Sequence, residues 1–253
     1  MFLKGTEALR HIELNSSKVS RYAIIVGDPG RVEILGQLLS DFEIIQSIRE
    51  FRIGYGSYNG LPITIASTGV GCPSTAICVE DLILSGVDTI VRVGTSGGLS
   101  EQVKLRDLVI ATGAVREEGT SIQYVPLAYP AVADYQLVHS LVEAASEFGH
   151  PFHVGIVHSK DAIYIEVPET IPDMEEQQRL LKVWTRANVL ATDMESSLLF
   201  SLGTIRGIRT SSILSVIGYT WDDEPFSGVE STVIEAATIV LNGFLKLSKI
   251  DEK

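Results

Sequence analysis

One unit recurs along this chain and limits what it can fold into: a short apolar run, a glycine-rich turn, then apolar residues at helical spacing. Tyr22-Ala-Ile-Ile-Val26 enters the turn Gly27-Asp28-Pro29-Gly30, after which Val32, Leu35, Leu38 and Leu39 repeat with a helical period. Pro62-Ile-Thr-Ile-Ala66 leads to Gly69-Val70-Gly71, and a helix opened by Ser74 runs through Leu84 to a stop at Gly86. Thr89-Ile-Val-Arg-Val93 ends in Gly94-Thr95-Ser96-Gly97-Gly98. Leu108 to Thr112, His153 to Val157, Val189 to Ala191 and Ile213 to Ile217 read as further strands. Leu137, Val138, Leu141, Ala145 and Phe148 mark an intervening helix, and Val233, Ile234, Ala237, Val240, Leu241 and Phe244 a closing one.

Short strands that are apolar throughout are buried on both faces, so helices must cover both sides of the sheet. The alternation therefore predicts one α/β domain over residues 1–253, a central mixed, largely parallel twisted sheet flanked by helices. In such sheets active groups gather outside the carboxyl ends of the strands, and the glycines of this chain cluster there. Glu166 to Gln178, rich in acids and proline, and the acidic Trp221 to Glu224 are the expected loops.

A length of 253 residues suffices for one sizeable core. The net charge of -12 excludes a general nucleic-acid binder, which needs a basic surface. An anion would have to be held locally by a few basic residues. Cys72 and Cys78 suit reduced thiols better than a disulfide framework, and a metal site is not expected. Residues 1–10 lack the apolar segment of a signal peptide, and no apolar run approaches the roughly 20 residues needed to span a bilayer. A cytoplasmic protein without membrane partners is the expectation.

Gly27 and Gly30 let the backbone approach a ligand, and Arg31 stands at the start of the helix whose amide end faces their turn. Arg92 interrupts the apolar run Ile90-Val91-Arg92-Val93, where an unpaired guanidinium would be costly. It needs an anionic partner, either a bound anion or an internal carboxylate, and the Thr95 and Ser96 hydroxyls follow it.

Four ordered segments carry a family resemblance: Val26-Gly27-Asp28-Pro29-Gly30-Arg31-Val32, Ser67 to Thr75, Val91-Arg92-Val93-Gly94-Thr95-Ser96-Gly97, and Asp193-Met194-Glu195-Ser196. Together they resemble the nucleoside phosphorylase family over essentially the whole chain. Pro126-Leu127 and Tyr129 to Asp134 look specifically like its uridine phosphorylase branch. The resemblance implies a pentosyltransferase that uses inorganic phosphate as co-substrate and no cofactor. It implies that Gly27, Arg31, Arg92 and Thr95 hold phosphate while Arg49 reaches the neighbouring subunit's site. It places Asp193, Met194 and Glu195 at the ribose, with His11 donated by the adjacent subunit to the 5′-hydroxyl, and makes Arg92 and Glu195 the catalytic pair. Asp193 stands where relatives carry glutamate, a shorter arm. Glu50 and Ser74 match positions that bind a monovalent cation such as potassium between subunits, a structural carboxylate being the alternative reading. A homo-oligomer follows, a dimer as the minimal unit and three dimers in a hexamer.

The base is harder to read. Ser96, Ile163 and Ile217 should line its pocket. Purine-specific relatives place an aspartate where this chain has Ile217, and uridine phosphorylases read uracil with a glutamine and arginine where it has Ile165-Glu166-Val167-Pro168-Glu169. Gln177, Gln178 and Arg179 could supply those groups by folding back, but a solvated helix face suits them better. A pyrimidine nucleoside leads, with a purine or broad specificity as the alternative. A hydrolytic nucleosidase would have no reason to keep Arg31, Arg49 and Arg92. A non-catalytic nucleoside-binding protein remains the reading from a different class, and a dinucleotide domain fails for want of a spaced glycine triplet.

Overall fold

The computed structural model describes residues 10–12, 14, 18–166, 172–219 and 228–252. Each expected strand is present, although the one expected over Val189 to Ala191 starts only at Ala191. In chain order they are β1 (Tyr22–Val26), β4 (Leu61–Ser67), β5 (Thr89–Gly98), β6 (Leu108–Glu117), β8 (Phe152–Lys160), β9 (Ala191–Asp193) and β10 (Arg209–Tyr219), with β2 (Ser40–Ile48), β3 (Phe51–Tyr58) and the short β7 (Ala131–Val132) in addition. All ten belong to one mixed sheet of order β10-β6-β8-β9-β5-β1-β4-β3-β2, with β7 beside β6. Because β10 also pairs with β5, the strands β5, β10, β6, β8 and β9 close on themselves and curl that half of the sheet into a barrel.

Period-two alternation divides the core. Ala23 and Ile25 of β1 face one apolar cluster, while Tyr22, Ile24 and Val26 face the other. Helices α2 (Cys72–Leu84) and α6 (Ser196–Arg206), with the short α3 (Ser121–Tyr124) against α6, pack on the first; α1 (Gly30–Gly36), α4 (Tyr135–Phe148) and α7 (Val229–Asp251) cover the second. Fully buried side chains such as Phe200 and Phe244 each contribute about 1.5–3 kcal/mol. Helix α4 opens where Asp134 accepts the Leu137 amide (2.9 Å) and closes on left-handed Gly149.

Several boundaries differ from expectation for local reasons. Helix α2 begins at Cys72 rather than at Ser74, capped by Gly71 with Pro73 inside its first turn, and the Ser74 hydroxyl turns instead toward Glu50. The stretch expected to be a loop from Glu166 to Gln178 becomes helix α5 (Met174–Arg186), entered by an Asp173 cap; residues 167–171 lie outside the described residues, as does Trp221 to Glu224. Among the described residues no helix is long and apolar enough to cross a membrane.

Candidate functional site

The ends of β1, β5, β9 and β10 open onto a cleft of about 720 Å³. Gly27, Arg31, Arg92, Thr95, Ser96, Ile163, Asp193, Met194, Glu195 and Ile217, all named from sequence, line it. Val70, Lys160, Thr192 and Tyr219 line it too and were missed. No sequence signal marked Lys160, which ends a strand that also carries His153, His158 and Ser159.

Arg92 is the pivot. It leaves β5 opposite Ile25 of β1 and Ser212 of β10, and a side chain at Gly94 would lie 2.8 Å from its guanidinium, so glycine two residues on is what lets it cross the strand end. Its Nε donates to Asp193 Oδ2 (3.1 Å), and an Nη nitrogen pairs with Glu195. The internal-carboxylate reading of Arg92 is thus realised within a cleft-lining residue. Burial works against its charge, but Glu195 and Asp193 outweigh burial and hold it protonated above the ordinary arginine value.

Asp193 has no exposed side-chain surface. Its oxygens accept from Ser159 Oγ (2.6 Å), Ser196 Oγ (2.6 Å) and the Ser196 amide as well as Arg92, so it ties β8, β5 and the start of α6 together. Glu195 Oε1 accepts the Gly71 amide (2.7 Å), while Oε2, beside Arg92, has no well-aligned hydrogen bond although it is buried. Burial raises the Glu195 carboxyl above the usual range, with Arg92 opposing that shift and Asp193 adding to it. A buried carboxylate oxygen with unused acceptor capacity at the cleft wall is suited to receive hydroxyl donors.

Arg31 projects from the first turn of α1. Burial pulls it below its ordinary value, Asp28 works against that, and repulsion from Arg92 adds to it. The turn satisfies its own amides: Gly30 N donates to Asp28 Oδ1 (2.8 Å) and Arg31 N to Asp28 O (3.1 Å). The expected amide end of α1 is therefore already occupied by Asp28, and the Arg31 guanidinium is what that turn offers a ligand. Three cations (Arg31, Arg92, Lys160) and three carboxylates (Asp28, Asp193, Glu195) line the cleft, so its walls are close to neutral.

Six sequence-named residues stand apart from this cleft. Arg49 is exposed at the tip of the β2–β3 hairpin in a left-handed conformation (φ 54°). His11 is exposed; its amide and that of Ile12 donate to the buried Asp81 carboxylate at 2.9 and 2.8 Å. Glu50 and Ser74 bond directly to each other (2.9 Å) over left-handed Gly69, where a Cβ would meet both. Gln177 faces a small cavity with Glu117, His158 and Trp184, and Arg179 lies exposed on α5, paired with Glu176; neither lines the cleft.

Residues 21–246 match the model of the phosphorylase superfamily. The chain is 39% identical over 246 residues to a guanosine phosphorylase of Halorubrum lacusprofundi, covering 94% of this chain and 98% of that protein. It is 41% identical over 215 residues to a uridine phosphorylase of Treponema pallidum, covering 85% and 83%. A crystal structure of uridine phosphorylase from Vibrio fischeri superposes with a TM-score of 0.82 at 33% identity, over 92% of this chain and 95% of that one. Family match, relatives and shared fold agree: this chain belongs to the phosphorylase superfamily.

Proposed function

We propose that the protein is a nucleoside phosphorylase, a pentosyltransferase of nucleoside salvage that cleaves a nucleoside with inorganic phosphate to free base and (deoxy)ribose 1-phosphate. Uridine is the preferred substrate on this reading. The observation that carries it is the convergence of Arg31, Arg92, Thr95 and Glu195 on one cleft. Guanosine is the second reading, favoured by the 39% identity to a guanosine phosphorylase and by the lack of the usual uracil-reading glutamine and arginine after Tyr164.

In the reaction the C1′–N bond breaks with its electron pair passing to the base, a phosphate oxygen forms the new C1′–O bond, and the proton carried by monohydrogen phosphate ends on the base. Positive charge grows on the sugar in between, so an anion held on one face and a carboxylate at the hydroxyls both assist. We assign phosphate to Gly27, Arg31, Arg92 and Thr95, and the ribose hydroxyls to Met194 and the open oxygen of Glu195. Asp193, with its oxygens engaged, is assigned to holding Arg92 in place rather than to the sugar. Ser96, Ile163 and Ile217 form the base walls.

The near-neutral cleft needs further positive charge to attract a phosphate dianion. Arg49 from a neighbouring subunit supplies it on this reading, and His11 of that neighbour closes the sugar site. An isologous dimer, assembled into a hexamer, follows, since each subunit then gives and receives the same residues. A potassium ion at Glu50 and Ser74 and a cytoplasmic location belong to the same proposal; the two free cysteines suit that compartment. The test is a panel of uridine, thymidine, guanosine and inosine incubated with and without phosphate, base release being followed by chromatography. Phosphate-dependent release, fastest for uridine, is expected; release indifferent to phosphate would make the protein a nucleosidase, and none at all a binding protein.

A further inference from the structure

Lys160 is only 3% exposed, yet it lines the cleft. It also borders the small cavity formed by Glu117, His158, Ile165 and Trp184. An ammonium group is strongly hydrated and costly to withdraw from water, so its placement at the buried end of β8 needs compensation. Glu117 lies opposite it in the pairing of β6 with β8. His158 and Trp184 (3.1 Å from Nε1) donate to Glu117 and hold its carboxyl below the usual range, and the Lys160 charge contributes in the same direction. The Glu117 carboxylate is thereby kept as a fixed negative neighbour.

Topology says which part of a ligand Lys160 would meet. Strand β8 pairs with β9 (Ser159 opposite Asp193), β9 with β5 (Thr192 opposite Gly97), and β5 with β1 (Arg92 opposite Ile25). Gly27 and Arg31 follow β1 and Lys160 ends β8, so they flank the cleft from opposite sides, separated by β9 and β5. Three residues beyond Lys160, Ile163 lines the same cleft and is the residue assigned above to the base walls.

We propose that Lys160 is the base-reading residue of this cleft, donating to an exocyclic carbonyl oxygen of the nucleobase and stabilising the negative charge that this oxygen takes up as the base departs. The proposal rests on the phosphorolysis reading above. An ammonium donates and cannot accept, so the site selects bases with an oxo group at that place, a pyrimidine-2,4-dione or a 6-oxopurine, over bases bearing an amino group there. As the C1′–N electron pair moves onto the ring, the carbonyl oxygen gains charge and the hydrogen bond strengthens in the transition state. No proton need leave Lys160, since the base nitrogen receives the one brought by phosphate.

The experiment compares wild type with Lys160→Met on uridine, inosine, cytidine and adenosine, and on 5-fluorouridine, whose base is a more acidic leaving group. Lys160→Met should lower kcat/KM about 100-fold on the oxo-base substrate that wild type prefers. The KM for phosphate should stay within about twofold. The loss should be smaller on 5-fluorouridine than on uridine, because the better leaving group needs less help; inosine against uridine tells which oxo base the site takes. Equal losses on uridine and 5-fluorouridine, or no loss, overturn the proposal, because a merely structural lysine would not sort substrates by leaving-group acidity. If Lys160→Met lacks a cooperative thermal transition, Lys160→Gln carries the same comparison. Wild type inactive on the whole panel would defeat the phosphorolysis reading instead. Calorimetry with free uracil and hypoxanthine then judges Lys160 alone: weaker binding by the variant supports base recognition, and unchanged binding removes it.

Discussion

At the scale of single residues, the site is organised by a buried charge and the absence of a side chain two positions later. Gly94→Ala would place a methyl group 2.8 Å from the Arg92 guanidinium and 3.0 Å from Leu214. The expected cost is about 1–3 kcal/mol, read from the denaturation midpoint, with a larger relative loss of activity because Arg92 must shift. Full activity in a destabilised Gly94→Ala would show that the position of Arg92 is not critical. Arg92→Met leaves Asp193 and Glu195 buried without their cation, and a loss of about 3–5 kcal/mol is expected. The double replacement Arg92→Met with Asp193→Asn should recover part of it, and denaturation of the two single variants and the double one measures the coupling. Arg92 was legible in the sequence because a charge in an apolar run needs an explanation. The role of Asp193 was not, because its partners Ser159 and Arg92 lie 34 and 101 residues away and only the fold brings them together.

At the scale of elements, α7 closes the molecule through Asp251. That carboxylate receives two bonds from Arg209 on β10 (2.9 and 2.7 Å) and one from Tyr22 Oη on β1 (3.2 Å). The hydrogen bonds from Arg209 lower its carboxyl below the usual value. A depressed carboxyl stabilises the fold above the unfolded-state value and loses that contribution as pH falls through the folded one. Asp251→Asn should therefore unfold earlier than wild type at neutral pH, by about 1 kcal/mol for a partly exposed pair, and the two melting curves should converge in acid. A pH-independent gap would mean that packing and not charge ties the helix down.

The strands and helices that could be read from sequence were the uniformly apolar or cleanly periodic ones. Strands β2 and β3 escaped because register shifts break the alternation of β2 and two glycines interrupt β3. One of them, Gly54, has a purpose visible only in three dimensions: the Phe42 ring covers it together with Gly36 of α1, where a Cβ would lie within 2.5 Å of ring atoms. The Asn59-Gly60 turn, both residues at positive φ, was the available hairpin signal. Helix α6 escaped because it is buried around most of its surface and so has no polar stripe.

At the scale of the whole molecule, one chain supplies a cleft whose cations and carboxylates are matched, while Arg49 and His11 point outward. If neighbours exchange these residues, two inactive variants should complement each other. Arg49→Ala and Glu195→Ala, each expected to lose about 100-fold or more of kcat/KM, should regain up to about a quarter of wild-type activity when coexpressed, since a quarter of the sites receive neither lesion under random pairing. Absence of recovery in proven mixed oligomers would confine each site to one subunit. The cleft, its strand ends and most of its lining could be named from motifs. The group that reads the base could not, because Lys160 belongs to no motif and is identified only by its burial beside the cleft.

The central claim is that inorganic phosphate, gripped by Arg31 and Arg92, is the nucleophile. Phosphorus NMR of the protein with uridine and phosphate tests it most directly. One equivalent of a sugar 1-phosphate should appear for each base released, and Arg92→Lys should slow both together. Base release accompanied by free pentose, with the phosphate signal unchanged, would contradict it.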